Sequence, residues 1–171
     1  MKTTNRSSVT LLGIKSAFSL FVLFIITVVI HEGSHYVTLL IFNIPIAHFA
    51  WFDTNYFAPA FFSASTEHSV GMTIVGYSGG FVTGVLLLSI LILKRKWFKQ
   101  SVYNWLLGLY IVTFGFWQIC QGILEGAFHQ TYISNATSLL FSSTHSVGYA
   151  SAILGMVLYC VFMPRLKELK V

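Results

Sequence analysis

Four apolar runs, each near the length needed to cross a bilayer, constrain this chain more than any other feature of its sequence. They extend approximately over residues 16–42, 70–93, 102–124 and 146–163, and a hydrocarbon core is crossed by ~20 residues of helix. A chain of 171 residues, 56% hydrophobic and 9% charged, lies outside the range of soluble domains. In lipid every backbone polar group must find its partner within the protein, which helices achieve segment by segment. The fold class expected is therefore all-α, a polytopic membrane helical bundle of about four transmembrane helices. No internal repeat or low-complexity linker divides it, so residues 1–171 read as a single integral membrane domain with the lipid bilayer as its surroundings.

Charge placement predicts an orientation. The ten basic residues fall in three groups: Lys2, Arg6 and Lys15; Lys94, Arg95, Lys96 and Lys99; Arg165, Lys167 and Lys170. With four spans these groups share one side, and the positive-inside rule makes that side cytoplasmic, both termini included. The net charge of +5 is thereby explained by topology, and no nucleic-acid partner is expected. The basic start followed by an apolar stretch also fits a secretory signal, but the run is too long and lacks a small-residue cleavage site, so a retained first helix is expected. Residues 44–69, IPIAHFAWFDTNYFAPAFFSASTEHS, are crowded with aromatics and broken by Pro45 and Pro59, which reads as an interfacial loop. Cys120 and Cys160 show neither metal-finger nor redox spacing and read as apolar fillers.

Within the first run the sequence IHEGSH places His31, Glu32 and His35 in an otherwise apolar segment. Each such group costs about 2.5 to 3.5 kcal/mol to insert at a helix centre, and intramembrane ionisable residues tend to mark function. Residues i and i+4 share a helical face, so His31 and His35 can offer two imidazole nitrogens to one metal. Glu32 is placed beside them as the general base for water activated by the metal, the pattern HExxH. The alternative is that the three residues bond between helices or reach water at the helix end.

The HEGSHYVTLLIF segment, the aromatic loop and the glycine-rich GYSGGFVTG of the second run together resemble the site-2 protease family of intramembrane zinc metalloproteases, in particular its short members. The likeness covers the first two helices well and the remainder in outline. It implies one catalytic Zn2+ held by His31 and His35, with Glu32 as catalytic base and a membrane-embedded peptide or protein as substrate. It also implies that residues 44–69 present a strand edge to that substrate. Gly76, Gly80 and Gly84 form a small-residue face that would seat the second helix against the first behind the metal.

Catalytic zinc takes three protein ligands and keeps one position open. The family donates an aspartate from a late helix, and here that region has none. The third run carries instead Gln118, Gln121, Glu125 and His129 along one helical stripe, facing the bundle interior. Glu125 is the choice for the third ligand on chemistry. Depth points elsewhere: His31 lies roughly 24 Å beyond Lys15 and Glu125 roughly 39 Å beyond Lys99 along straight helices. Gln118 is at the better depth but is a poor ligand, and His129 is a further alternative. His48, His68 and His145 fall outside or at the outer ends of the spans. The function expected is an intramembrane zinc metalloendopeptidase. The alternative is a non-catalytic subunit or metal-holding scaffold with partners in a larger membrane complex.

Overall fold

The computed structural model describes residues 6–53, 58–64, 70–127 and 143–163. In chain order these form helix α1 (Arg6–Ile41), strands β1 (Ile46–Asp53) and β2 (Ala58–Ala64), helix α2 (Val70–Leu93), the one-turn α3 (Arg95–Phe98), α4 (Val102–Ala127) and α5 (Ser143–Phe162). The protein is a helical bundle, and the aromatic segment after the first helix folds as a two-stranded antiparallel hairpin. Helices α1, α2 and α4 are long and apolar enough to cross a membrane, whereas α5 is apolar over the shorter stretch Ser146–Phe162. Two helices outrun their apolar cores: α1 begins at Arg6 and not at Ser16, and α4 continues to Ala127.

Polarity is distributed in the opposite sense to a soluble protein. Phe18, Ile41, Ile92 and Phe162 are exposed, while Thr27, His31, Thr83, Asn104 and Gln118 are buried. Water would penalise such a surface, but hydrocarbon accepts it and drives polar side chains to bond with one another inside. Thr27, Ser34 and Thr38 satisfy their hydroxyls locally by donating to the carbonyls one turn back, those of Leu23, Ile30 and Ser34.

Helix α2 packs against both α1 and α4, and α5 packs on α4. The α2–α4 contact is made by glycines from both sides. A Cβ on Gly76 would stand 2.7 Å from the Glu125 carbonyl oxygen, one on Gly80 would overlap the backbones of Gln118 and Gly122, and one on Gly84 would meet Gly115 and Ile119. The glycine face of α2 therefore seats it on α4, where the sequence suggests α1. Glycines at this spacing let two backbones approach until side chains from neighbouring positions converge.

The ends of the helices are set by local chemistry. Helix α1 stops where Asn43 adopts a left-handed conformation, φ 52°. The Asn43 N–H donates to the Leu40 carbonyl at 3.1 Å and the Ile44 N–H to that of Leu39 at 2.9 Å, a closing pair that absorbs two terminal carbonyls before Pro45. At the other end of the bundle Ser101 caps α4 by accepting the Asn104 N–H at 3.2 Å. The Asn104 side chain holds the α3 turn by donating to the Trp97 carbonyl at 3.0 Å. Around that turn lies the apolar core, with Leu87, Phe98, Trp105, Ile111 and Tyr159 buried together. Apolar packing thus concentrates at the basic-turn end, leaving the end of α1, the start of α2 and the end of α4 to hold polar groups.

Candidate metal centre

At that polar end α1 presents His31 and His35 from consecutive turns. Each imidazole is held by its Nδ1. His31 Nδ1 donates to Gln118 Oε1 of α4 at 2.6 Å, and His35 Nδ1 donates to the Val75 carbonyl of α2 at 2.6 Å. Both acceptors are oxygens without protons, so each ring carries a hydrogen on Nδ1, and a neutral ring then leaves Nε2 as a lone pair. The two Nε2 atoms face each other at 3.0 Å. Glu125 completes the cluster, its Oε2 lying 3.4 Å from His31 Nε2 and 3.3 Å from His35 Nε2. That oxygen is buried without a hydrogen-bond donor.

With neutral imidazoles, three electron-pair donors point at one another across separations of 3.0 to 3.4 Å within the apolar bundle. Such a set is suited to hold a cation at its centre. Tetrahedral zinc with bonds of ~2.0–2.1 Å separates its donors by about 3.3–3.4 Å, which is the size of this triangle. Two imidazoles and one carboxylate also match the ligand types of a catalytic zinc site with one open position. His31, His35 and Glu125 are the one group among the described residues whose donor atoms cluster in this way.

The carboxylate is oriented from within its own helix. Gln121 Nε2 donates to Glu125 Oε1 at 3.0 Å, and Trp117 Nε1 donates to Gln121 Oε1 at 2.8 Å. The whole cluster depends on Gly79, whose hydrogen faces the imidazoles; a Cβ there would collide with His35 and stand 2.7 Å from His31 Nε2. Glu32 follows His31 on α1 and is half-buried, its carboxylate interacting electrostatically with His31, His35 and Glu125.

Of the three alternatives for the third ligand, Glu125 joins the two histidines. Gln118 stands level with His31, as its depth requires, but bonds the far side of the ring and lies outside the donor triangle. Helical side chains lean towards the N terminus, so Glu125 reaches back along α4 while Gln118 meets α1 directly. His129 lies outside the described residues, as does His68, and the side chains of His48 and His145 are likewise not described. Gly79 escapes a reading based on glycines every fourth residue, because that spacing selects Gly76, Gly80 and Gly84; the signal for it was the doubled Gly79–Gly80, one glycine for each flanking helix. Trp117 and the Val75 carbonyl carry no motif.

No protein-family model matches the chain, and neither a curated protein nor a solved structure was found to resemble it.

Proposed function

We propose that this chain is an intramembrane zinc metalloendopeptidase of the site-2 protease type, acting on membrane-embedded peptide substrates. The observation that carries the reading is the convergence of His31 Nε2, His35 Nε2 and Glu125 Oε2 to 3.0–3.4 Å at the polar end of an apolar bundle, with Glu32 next in sequence to His31. His31, His35 and Glu125 would hold one zinc ion. When bound, zinc would supply Lewis-acid polarisation of a peptide carbonyl and acidify a water molecule.

The remaining steps belong to the chain's own side chains. Glu32 takes the proton from the attacking water and passes it to the leaving amine nitrogen. Gln118 and the Val75 carbonyl keep both imidazoles turned with Nε2 inward, and Gly79 admits both rings beneath α2. The hairpin that follows α1 offers the hydrogen-bonding edge of a strand, which suits a substrate that must unwind before its amide can be attacked. We read the chain as four spans with both termini cytoplasmic; the basic turn Lys94–Lys99 would then mark the cytoplasmic end of the bundle, and the cluster at the other end would fall in the outer half of the membrane.

The test is purification of the full chain in detergent, with zinc content measured beside cleavage of a helical membrane substrate. The expected result is about one zinc per chain and, for Glu32→Gln, retained zinc with cleavage abolished. Wild-type protein that binds no zinc, or a Glu32→Gln protein that still cleaves, rejects the reading. Zinc bound with no cleavage across a panel of membrane peptides assigns the chain instead as a metal-holding membrane subunit.

A further inference from the structure

A carboxylate at the end of a helix has two oxygens and several rotamers, so something must select which oxygen faces the histidines. Glu125 uses its two oxygens differently: Oε2 faces the imidazoles, and Oε1 accepts the Gln121 amide at 3.0 Å. A glutamine amide is itself ambiguous, since turning it by half a revolution exchanges donor and acceptor. Here the ambiguity is removed by Trp117. An indole N–H can only donate, so the Gln121 oxygen must face Trp117 Nε1, at 2.8 Å, and its NH2 must face Glu125. The direction of the chain Trp117 to Gln121 to Glu125 follows from the chemistry of its first member. The Trp117 ring is held in turn by α5, packing edge to face on Tyr149 with centroids 4.9 Å apart.

We propose that Gln121, oriented by Trp117, is a positioning residue that commits Glu125 to metal binding through one oxygen, and that α5 acts on the metal centre through Tyr149 and Trp117. The proposal rests on the metal-centre reading above. With Oε1 occupied by the Gln121 amide, the carboxylate is held from swinging both oxygens onto the ion, and the open position stays open. Loss of an outer-shell partner of this kind lowers metal affinity by roughly 10- to 100-fold in characterised sites.

The experiment uses the full chain in detergent and two probes that do not depend on cleavage. Zinc affinity is measured by competition with a chromophoric chelator, and the visible spectrum is recorded with Co2+ in place of zinc, because its band positions and intensities report ligand number. Gln121→Met keeps length but removes the hydrogen bonds to Trp117 and Glu125; it is expected to bind zinc roughly 10- to 100-fold more weakly than wild type and to show altered Co2+ bands. Trp117→Phe keeps an aromatic ring and removes the donor, and is expected to change the bands in the same direction with a smaller affinity loss. Tyr149→Ala, which touches no ligand, is expected to follow Trp117→Phe. The melting temperature of the metal-free Gln121→Met protein should match wild type, which separates positioning from a fold defect. Wild-type zinc affinity and an unchanged Co2+ spectrum in Gln121→Met and Trp117→Phe overturn the positioning role and leave the metal centre standing. Wild-type protein that binds neither ion overturns both.

Discussion

Gly33 and Gly79 are both glycines at the proposed metal centre, and their surroundings assign them opposite tolerances. A Cβ on Gly33 meets nothing within 4 Å, although the residue lies inside the HEGSH motif. Gly33→Ala is therefore expected to leave zinc binding unchanged and to raise stability slightly, since alanine exceeds glycine in helix propensity by up to ~1 kcal/mol. Gly79→Ala places a methyl group against both imidazoles. It is expected to weaken zinc binding by at least the roughly 10- to 100-fold that losing an outer-shell partner costs, since it pushes on both ligands, and thermal unfolding with chelator titration checks both variants side by side. Gln118 stands between these extremes. Gln118→Leu removes the acceptor of the His31 Nδ1–H, leaving a buried donor whose cost is about 1–3 kcal/mol; weaker zinc binding with His31 still ligating is the expected result, read by isothermal titration against wild type and His31→Ala. Zinc lost as completely in Gln118→Leu as in His31→Ala would mean that Gln118 does more than orient the ring.

At the scale of elements, the α2–α4 contact controls the site because Gln118 and Glu125 ride on α4 while Gly79 and Val75 ride on α2. Gly80 lies at the tightest part of that contact, against the backbones of Gln118 and Gly122. Gly80→Leu is expected to destabilise by at least the ~1–3 kcal/mol of ordinary overpacking and to lose zinc as well, because separating the helices opens the donor triangle. Gly13→Ala, with nothing within 4 Å of its Cβ on the same lipid-facing bundle, is the matched control. Asn43 tests the end of α1. A β-branched residue resists the left-handed backbone found there, which costs roughly 1–2 kcal/mol. Asn43→Val should lower the melting temperature, and Asn43→Gly should not.

For the whole molecule, the inside-out distribution of polarity means that its few buried polar groups carry much of its specificity. Packing against lipid is unselective, whereas the His31–Gln118 and Ser19–Tyr103 bonds, at 2.6 and 2.5 Å, join α1 to α4 at defined levels. A metal shared between α1 and α4 would add a third tie between them. Binding restricted to the folded state stabilises it by about 2.7 kcal/mol when free metal is a hundredfold above the dissociation constant. Strong chelator is accordingly expected to lower the unfolding midpoint of wild-type protein in detergent, excess zinc to restore it, and Glu125→Ala to respond to neither.

Much of this arrangement was legible in the sequence, for a physical reason. Length and apolar content demand helices in lipid, and the cost of inserting charge singles out His31, Glu32, His35 and Glu125 among residues that would otherwise pass as decoration. Helical periodicity alone puts the two histidines on one face. Tertiary structure decided the rest, because the rest depends on how helices cross. Straight-helix arithmetic set Glu125 too deep and favoured Gln118. The packed bundle uses both, one reaching back to the Nε2 atoms and the other level with His31 to orient its ring. The face of α2 that meets each neighbour was likewise undetermined, since a row of glycines specifies close approach without naming the partner. The approach to α4 at Gly80, with Gly79 turned towards α1, is what brings three separated residues to one point.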